Sequence, residues 1–257
     1  MRFRSYILAA AAPFCLAGLP AAAWTPATQV TIAREAAHLS PPDLYRQIDK
    51  HHRAYEEGIN APFADADPSR HTKNLDGSGR LDRATYDAVD AAILAIRGHQ
   101  PFDEIVRRLG VVSHFVADAN NPLAASADDA EEGRYFADFL RYVETAEPRF
   151  PLVFYGLQVN GDGGRGVAAI VEGALRRGRQ LYPLIGREYR RIGFGSGVGV
   201  FDDRSTAFGV GSVAFSHAVT DVSLVLRYIW LAAGGIDDRA HLPAVGTRLT
   251  VLPRTAR

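Results

Sequence analysis

Residues 101–122, PFDEIVRRLGVVSHFVADANNP, carry the clearest helical pattern in this chain of 257 residues. Pro101 suits the first turn of a helix, and the Asn-Asn-Pro sequence at 120–122 is a stop signal. Between them, apolar side chains recur every three or four residues, which is the period of an α-helix. These side chains are Phe102, Ile105, Leu109, Val112 and Phe115. We therefore predict a helix that ends at about Asp118.

Similar patterns extend outward from this helix in both directions. They predict further helices at 28–38, 42–57, 81–96, 129–146, 166–190 and 205–233. Residues 58–80 are rich in Gly, Asn, Asp and Pro and predict a long ordered loop, and 193–199 predict a glycine-rich break. Since the sequence shows no clear alternating strand pattern and no repeat, we predict one all-α, multi-helix domain at 24–257.

The first 23 residues have the three parts of a secretory signal peptide. Arg2 and Arg4 give a positive start, 6–19 form an apolar core, and Ala21-Ala22-Ala23 offers a small-residue cleavage pattern. The apolar core is shorter than the roughly 20 residues that span a bilayer. We therefore expect cleavage after Ala23, a mature chain that begins at Trp24, and a secreted or periplasmic protein.

Composition limits the classes of protein to which the mature chain can belong. The single cysteine, Cys15, lies in the leader, and an exported chain without disulfides is held together by its core, by a bound metal, or by both. Without Arg2 and Arg4 the 29 basic residues become 27, against 29 acidic ones. Bulk charge therefore gives no reason to expect a stable nucleic-acid complex. No second hydrophobic stretch reaches membrane-spanning length without polar interruption, and we expect no transmembrane segment.

Two groups of polar residues can carry chemistry. His114 and Asp118 stand one helical turn apart on an apolar helix, so both can reach one metal ion, although such pairs are more often surface ion pairs. In the loop, Asp65, Asp67 and His71 lie within seven residues and offer further oxygen and nitrogen ligands. The alternative there is an ordinary polar loop in which the two aspartates are turn and cap residues.

In this order, these motifs resemble those of the zinc-dependent phospholipase C and S1/P1 nuclease superfamily. The matching stretches are Trp24-Thr-Pro-Ala-Thr-Gln29, then His71, then the sequence from His114 to Pro122. The similarity covers most of residues 24–150. It implies an all-α domain of the phospholipase C/P1 nuclease type, with zinc ions in a helical cleft and a water molecule that attacks a phosphodiester.

The resemblance also implies a set of metal ligands in this chain. They are His71, His114, Asp118, the α-amine and carbonyl of Trp24, and either Asp65 or Asp67, between which the sequence does not choose. Asp118 would be the carboxylate that bridges two ions, and Asp118 and Asp67 are the candidate catalytic residues.

The chain departs from the family at three ligand positions. Gln29, Ala124 and Arg134 stand where the family has histidines. Neither alanine nor arginine can ligate zinc, and glutamine is a poorer ligand than imidazole. The resemblance therefore predicts a reduced centre of one zinc ion or two. Arg134 would fill the vacated place by pairing with Asp138 or by holding a phosphate, and His38, a less favourable substitute, lies on another side of its helix.

Two other patterns mimic metal sites. The stretch 74–82, NLDGSGRLD, is similar to an EF-hand loop. It lacks the first Asp and has Thr85 in place of the bidentate Glu, so we expect a turn that caps the next helix. His217 and Asp221 repeat the one-turn spacing on a strongly apolar helix, where we expect a core histidine bonded to Asp221 or to a carbonyl. The chain has no Gly-x-Ser-x-Gly elbow and no phosphate-binding Gly-Lys loop.

Two functions follow from these features. The first is an exported zinc-dependent phosphoesterase that acts on a phospholipid or another phosphodiester. The second is a non-catalytic binding or structural protein that keeps the fold and at most one zinc ion. The retained set of His71, His114 and Asp118 favours the enzyme, and the missing ligands favour the second function.

Overall fold

The structure, a computed structural model, describes residues 23–125, 129–156, 166–237 and 250–253. The predicted signal peptide lies outside these ranges apart from Ala23. The described residues form nine α-helices: α1 (Pro26–His38), α2 (Pro42–Lys50), α3 (His52–Asn60), α4 (Leu81–Arg97), α5 (Phe102–Ala119), α6 (Phe136–Ala146), α7 (Val167–Ile192), α8 (Gly197–Val200) and α9 (Thr206–Ala232). Two strands, β1 (Leu152–Phe154) and β2 (Thr250–Leu252), complete the regular elements. The expected predominance of helix is confirmed.

Helix α5 lies at the centre of the molecule, as its apolar pattern predicted. It follows Pro101, ends at the C-cap Asn120, and packs against α1, α3, α4, α7 and α9. Every residue of its last two turns, 112–119, is buried. Polar side chains in these turns therefore need partners inside the protein.

Helix α3 approaches α5 very closely because two glycines face each other. A Cβ atom at Gly110 would overlap the carbonyl oxygen of Tyr55, and one at Gly58 would overlap that of Arg107. This contact explains why the helix predicted at 42–57 is in fact two helices. The chain leaves the helical conformation at His51 (φ −111°, ψ 31°), so α3 can lie along α5 and continue to Asn60, beyond the predicted end.

The segment predicted as a long loop contains two short 3₁₀ turns, Ala61–Ala64 and Pro68–His71. The first continues directly from α3, and the second ends at the candidate ligand His71. The rest of the segment leads into α4 at Leu81. The loop is therefore ordered, as predicted, but it begins three residues later than expected.

Two further predictions differ from the structure. The helix expected at 129–146 begins only at Phe136, after a 3₁₀ turn at Glu132–Arg134. No strand was predicted, yet β1 pairs antiparallel with β2, with Leu152 opposite Leu252 and Phe154 opposite Thr250. Strands of three residues are too short to show an alternating pattern, and their partners lie far apart in sequence.

Helix α9 is long and apolar enough, by length and composition alone, to cross a membrane. In this fold, 78% of its most apolar 18-residue window is buried inside the protein. It begins after Ser205, whose hydroxyl accepts a hydrogen bond from the Phe208 amide (3.1 Å). Its apolar character is that of a core helix packed against α1, α5 and α7.

Candidate metal centre

Three of the predicted ligands meet in the core, where the loop after α3 passes the end of α5. His71 Nδ1 lies 2.7 Å from Asp118 Oδ2, His114 Nε2 lies 3.2 Å from the same oxygen, and the two imidazole nitrogens are 3.3 Å apart. The side chains are 3%, 0% and 0% exposed, respectively. These three residues form a group that could hold a metal ion. Among the described residues, no other group of three or more His, Cys, Asp or Glu side chains is placed in this way.

The spacing of these three atoms suits a small divalent ion. Ligand atoms around a tetrahedral zinc ion with bonds of about 2.1 Å stand roughly 3.4 Å apart. Two of the three distances, 3.2 and 3.3 Å, are close to that value. The 2.7 Å contact between His71 and Asp118 is a hydrogen bond, which an ion would replace. Two imidazole nitrogens and one carboxylate oxygen are a donor set found around several divalent metals, among them zinc and iron(II).

The second nitrogen of His114 fixes the direction of its ring. His114 Nδ1 lies 2.8 Å from the carbonyl oxygen of Ile59, which can only accept, so Nδ1 carries a proton. In the neutral ring the lone pair is therefore on Nε2, which points at the other two ligand atoms. Such a hydrogen bond behind the ring is typical of histidines that bind metals. The close contact of α3 with α5 places the Ile59 carbonyl there.

Gln29 engages the other oxygen of Asp118. Its Nε2 donates to Asp118 Oδ1 at 2.6 Å, and the residue is 0% exposed on the buried face of α1. Its Oε1 is buried and has no hydrogen-bond partner among the described residues. From the sequence, Gln29 is only a missing ligand, but its hydrogen bond to Asp118 gives it a role. Its position four residues before the buried Ala33, on the inward face of an amphipathic helix, was the available signal.

Asp65 and Asp67, the two aspartates that the sequence left as alternatives, have different surroundings in the structure. Asp65 Oδ2 lies 3.7 Å from Nε2 of His71, the nitrogen that faces away from Asp118, and accepts a hydrogen bond from Arg70 (2.6 Å). Asp65 thus lies behind a ligand and apart from the other ligand atoms. Asp67 is engaged elsewhere: its Oδ1 accepts from the backbone and hydroxyl of Ser69, and its Oδ2 pairs with Arg80. The structure therefore does not bring Asp67, a predicted catalytic residue and ligand, to the cluster.

The charges of the cluster are mutually stabilising. Burial alone would lower the pKa of His71, but the hydrogen bond and the charge of Asp118 outweigh it and raise that pKa. Burial alone would raise the pKa of Asp118, but His114 and His71 lower it. A buried carboxylate between two imidazoles thus stays ionised and requires a positive partner, either a proton on an imidazole or a metal ion.

Trp24 lies beside the cluster's helix. The residue is 2% exposed, and its indole Nε1 donates to the carbonyl oxygen of Ala117 at 2.8 Å. The preceding carbonyl, that of Ala23, accepts a hydrogen bond from Asn121. The predicted start of the mature chain is therefore anchored to the residues that flank Asp118. The ligand role of its α-amine remains a prediction.

The positions that depart from the family have ordinary structural environments. Ala124 is 1% exposed in the core. Arg134 pairs with Glu131 and stacks on Phe194, 3.6 Å from the ring centroid. Asp138 instead accepts hydrogen bonds from the Tyr189 hydroxyl and the Gly197 amide, at 2.6 and 2.7 Å. The predicted pairing of Arg134 with Asp138 is therefore wrong.

His38, the possible substitute ligand, faces away from the cluster. It lines a cleft of about 860 Å³ on the outer side of α1, α2 and α3, together with Tyr45 and His52. Its ring contacts that of Tyr45 at 4.7 Å between centroids. This agrees with its expected placement on a different side of α1 from Gln29.

In the EF-hand-like stretch at 74–82, a lysine ammonium contacts the oxygen atoms of the loop. The Lys73 ammonium lies 3.2 Å from the Gly77 carbonyl oxygen, 3.3 Å from that of Gly79 and 3.2 Å from Asp82 Oδ2. An ammonium thus takes the oxygen atoms that face into this loop, and Asp76 accepts the Ser78 amide at 2.8 Å. The stretch forms a turn before α4, as expected, but the N-cap residue Arg80 makes no side-chain capping hydrogen bond, so the expected capping role is not met.

The two residues of the second His–Asp pair, His217 and Asp221, contact different partners. His217 stacks on Tyr155, with ring centroids 3.8 Å apart, rather than bonding to Asp221. Asp221 pairs with Arg177, which also donates to Asn120 (3.1 Å) and so ties α7 to α9 and to the end of α5. Burial, and then the charge of Arg177, lower the pKa of His217 to about 4. The expected hydrogen bond of this histidine, to Asp221 or to a carbonyl, is not found among the described residues.

No protein-family model matches the chain, and no curated protein matches it either. The likeness to phospholipase C and the S1/P1 nucleases therefore rests on the residues quoted above and on the convergence of three of them.

Proposed function

We propose that this chain is an exported, metal-dependent phosphoesterase with a reduced zinc centre. The observation that carries the proposal is the convergence of His71 Nδ1, His114 Nε2 and Asp118 Oδ2, with distances of 2.7 to 3.3 Å between them. These residues come from an irregular loop and from a helix, 43 or more positions apart. Their meeting supports three of the ligands that the resemblance implied.

Three protein ligands are the usual complement of a catalytic zinc site, which keeps one further position for water or substrate. Zinc bound in this way lowers the pKa of water towards about 7 and polarises a phosphoryl oxygen. The chain's own groups set the geometry for this chemistry. The Ile59 carbonyl orients His114, and Gln29 holds the outer oxygen of Asp118.

A positively charged group lies at the edge of the cluster. Arg70 contacts Asp65, whose carboxylate faces the outer nitrogen of His71, and the Arg70 side chain is 37% exposed. A guanidinium is well suited to a phosphate group. This arrangement supports a phosphodiester substrate, such as a phospholipid headgroup ester, that reaches the centre from the side of the loop at 61–71. We expect neither a stable nucleic-acid complex nor a membrane-spanning segment in the mature chain.

One observation favours the second function, a non-catalytic protein with one structural zinc. The three ligand residues are at most 3% exposed, so substrate has almost no direct access to them. A closed site without solvent contact is typical of structural zinc.

Metal removal and hydrolysis together distinguish the two functions. The purified protein is stripped with a chelator, and zinc is returned stepwise while hydrolysis of bis-p-nitrophenyl phosphate and p-nitrophenylphosphorylcholine is followed. The enzyme is expected to regain turnover as zinc binds. The matched control is Asp67→Asn, which lies in the same loop outside the cluster and should retain turnover.

Two other results of this experiment would contradict the enzymatic function. Tight zinc binding that raises thermal stability without turnover of either ester would support the structural function. Absence of zinc binding would contradict the zinc-dependent enzyme and the structural zinc, and would leave only a non-catalytic protein that holds no metal.

A further inference from the structure

We infer that Gln29 restricts the centre to a single metal ion. This inference rests on the proposed function, because it concerns the same cluster, but it makes a separate claim about the number of ions. Asp118 was expected to bridge two ions. The structure assigns one of its oxygens to another partner.

The two oxygens of Asp118 face different groups. Oδ2 faces His71 and His114, at 2.7 and 3.2 Å, and belongs to the three-atom cluster. Oδ1 accepts the Gln29 amide at 2.6 Å. In a two-metal site the ions stand about 3.5–4 Å apart and need oxygens available to both. The side of Asp118 that a second ion would use is occupied by an N–H group.

The amide presents the wrong charge to a cation on that side. The Gln29 Nε2 atom also lies 3.5 Å from the carbonyl oxygen of His114. The two acceptors near this nitrogen, Asp118 Oδ1 and the His114 carbonyl oxygen, therefore both face its hydrogens. A cation placed against these hydrogens would meet the positive end of the amide dipole. Turning the amide over would set Oε1 against the carboxylate oxygen, which is repulsive. Gln29 is therefore held in the orientation that excludes a second ion.

Burial fixes this arrangement further. Gln29, His114 and Asp118 are each 0% exposed, so an additional ion would have to be fully desolvated and supplied with protein ligands. Within the described ranges, the structure offers no further His, Cys, Asp or Glu to the three-residue group. Asp65, a carboxylate outside this group, faces the opposite nitrogen of His71 and pairs with Arg70.

The unpartnered Oε1 of Gln29 points to the substitution that tests the inference. Gln29→Glu keeps the shape of the side chain, replaces the N–H donors by an anionic oxygen beside Asp118, and so creates a second anionic position. In the absence of metal, two adjacent buried carboxylates repel each other. A second cation relieves that repulsion. Gln29→Met is the matched variant, with similar length and no charge.

The test is zinc stoichiometry of the chelator-stripped protein, measured by isothermal titration and by elemental analysis after gel filtration. The original chain is expected to hold one zinc per chain at saturation, and Gln29→Glu two. Gln29→Met is expected to hold one, with affinity about 10- to 100-fold lower, because the outer oxygen of Asp118 loses its donor. Circular dichroism reports folding, and a Glu variant that folds only with zinc present is counted in its zinc-loaded form.

Two zinc ions in the original chain would overturn the inference and leave the proposed function standing. The inference would also be overturned if Gln29→Glu held one zinc ion and Gln29→Met bound zinc with unaltered affinity. Should neither the original chain nor any variant bind zinc, the proposed function itself would fail. Stoichiometry therefore distinguishes the two failures, and neither reading depends on activity.

Discussion

At the scale of single residues, Asp118 is the charge on which the cluster depends. It is fully buried between two imidazoles and the Gln29 amide. Asp118→Asn removes the negative charge while keeping the shape, so we expect zinc affinity to fall by about 100-fold or more. Titration with a fluorescent zinc indicator measures this. Asp67→Asn, whose carboxylate is bonded to Ser69 and Arg80, should bind zinc as the original chain does, and equal losses in the two variants would argue against the cluster.

His217 makes a prediction about stability and pH. Burial and Arg177 lower its pKa in the folded protein to about 4, from an ordinary value of 6.5. The unfolded chain therefore takes up a proton first as the pH falls, and the contribution of His217 to the free energy of unfolding, present above pH 6.5, is lost between pH 6.5 and 4. With screening of this partly exposed ring, the loss is on the order of 2 kcal/mol.

A comparison between variants isolates this effect. Burial, against the charge of Arg177, raises the pKa of Asp221 to about 6, so Asp221 gains stability as the pH falls and offsets His217 in the whole protein. Urea unfolding at several pH values should therefore be compared between the original chain and His217→Gln. The difference in free energy of unfolding is expected to shrink from pH 7 to pH 4.5. A difference that does not vary with pH would show that His217 keeps its ordinary pKa.

At the scale of elements, the contact of α3 with α5 links packing to the metal centre. A methyl group at Gly110 would overlap the Tyr55 carbonyl oxygen, so Gly110→Ala should destabilise the protein by about 1–3 kcal/mol, although alanine favours helix. It should also weaken zinc binding about 10-fold, because α3 carries the Ile59 carbonyl that orients His114. Chemical denaturation and zinc titration measure the two effects.

Gly209 provides the matched control for that substitution. It lies in α9, and a Cβ atom there would meet nothing within 4 Å. Gly209→Ala should therefore raise stability by about 0.5–1 kcal/mol, the ordinary gain for this change in a helix. If both alanine variants were stabilised alike, the close contact of α3 with α5 would be refuted.

The same elements show which features of the fold could be predicted from the sequence and which could not. The apolar period predicted α4, α5, α7 and α9 almost to the residue. It missed the break at His51, which depends on how α3 meets Gly110 of a distant helix, and the strands, which pair across about 100 positions. The one-turn spacing of His114 and Asp118 predicted a shared face. The choice between Asp65 and Asp67, and the bond from Gln29, depend on tertiary contacts that no spacing encodes.

At the scale of the whole molecule, the proposed export would require that the predicted leader be removed before the chain folds. Ala23 and Trp24 are both 2% exposed, and Asn121 donates to the Ala23 carbonyl, so the folded protein shields the bond between them. Intact mass spectrometry of the exported protein should give a chain that starts at Trp24. Precursor that has already folded should resist cleavage. A secreted product that keeps Ala21-Ala22-Ala23 would contradict the predicted site.

The central claim is that His71 joins His114 and Asp118, which are distant from it in sequence, in binding one divalent ion in the core. X-ray diffraction from zinc-loaded crystals at the zinc absorption edge tests this most directly. The account predicts one anomalous peak within about 2.0–2.2 Å of His71 Nδ1, His114 Nε2 and Asp118 Oδ2. A density map in which these atoms keep the 2.7 Å hydrogen bond of His71 to Asp118, with no anomalous peak between them, would contradict it.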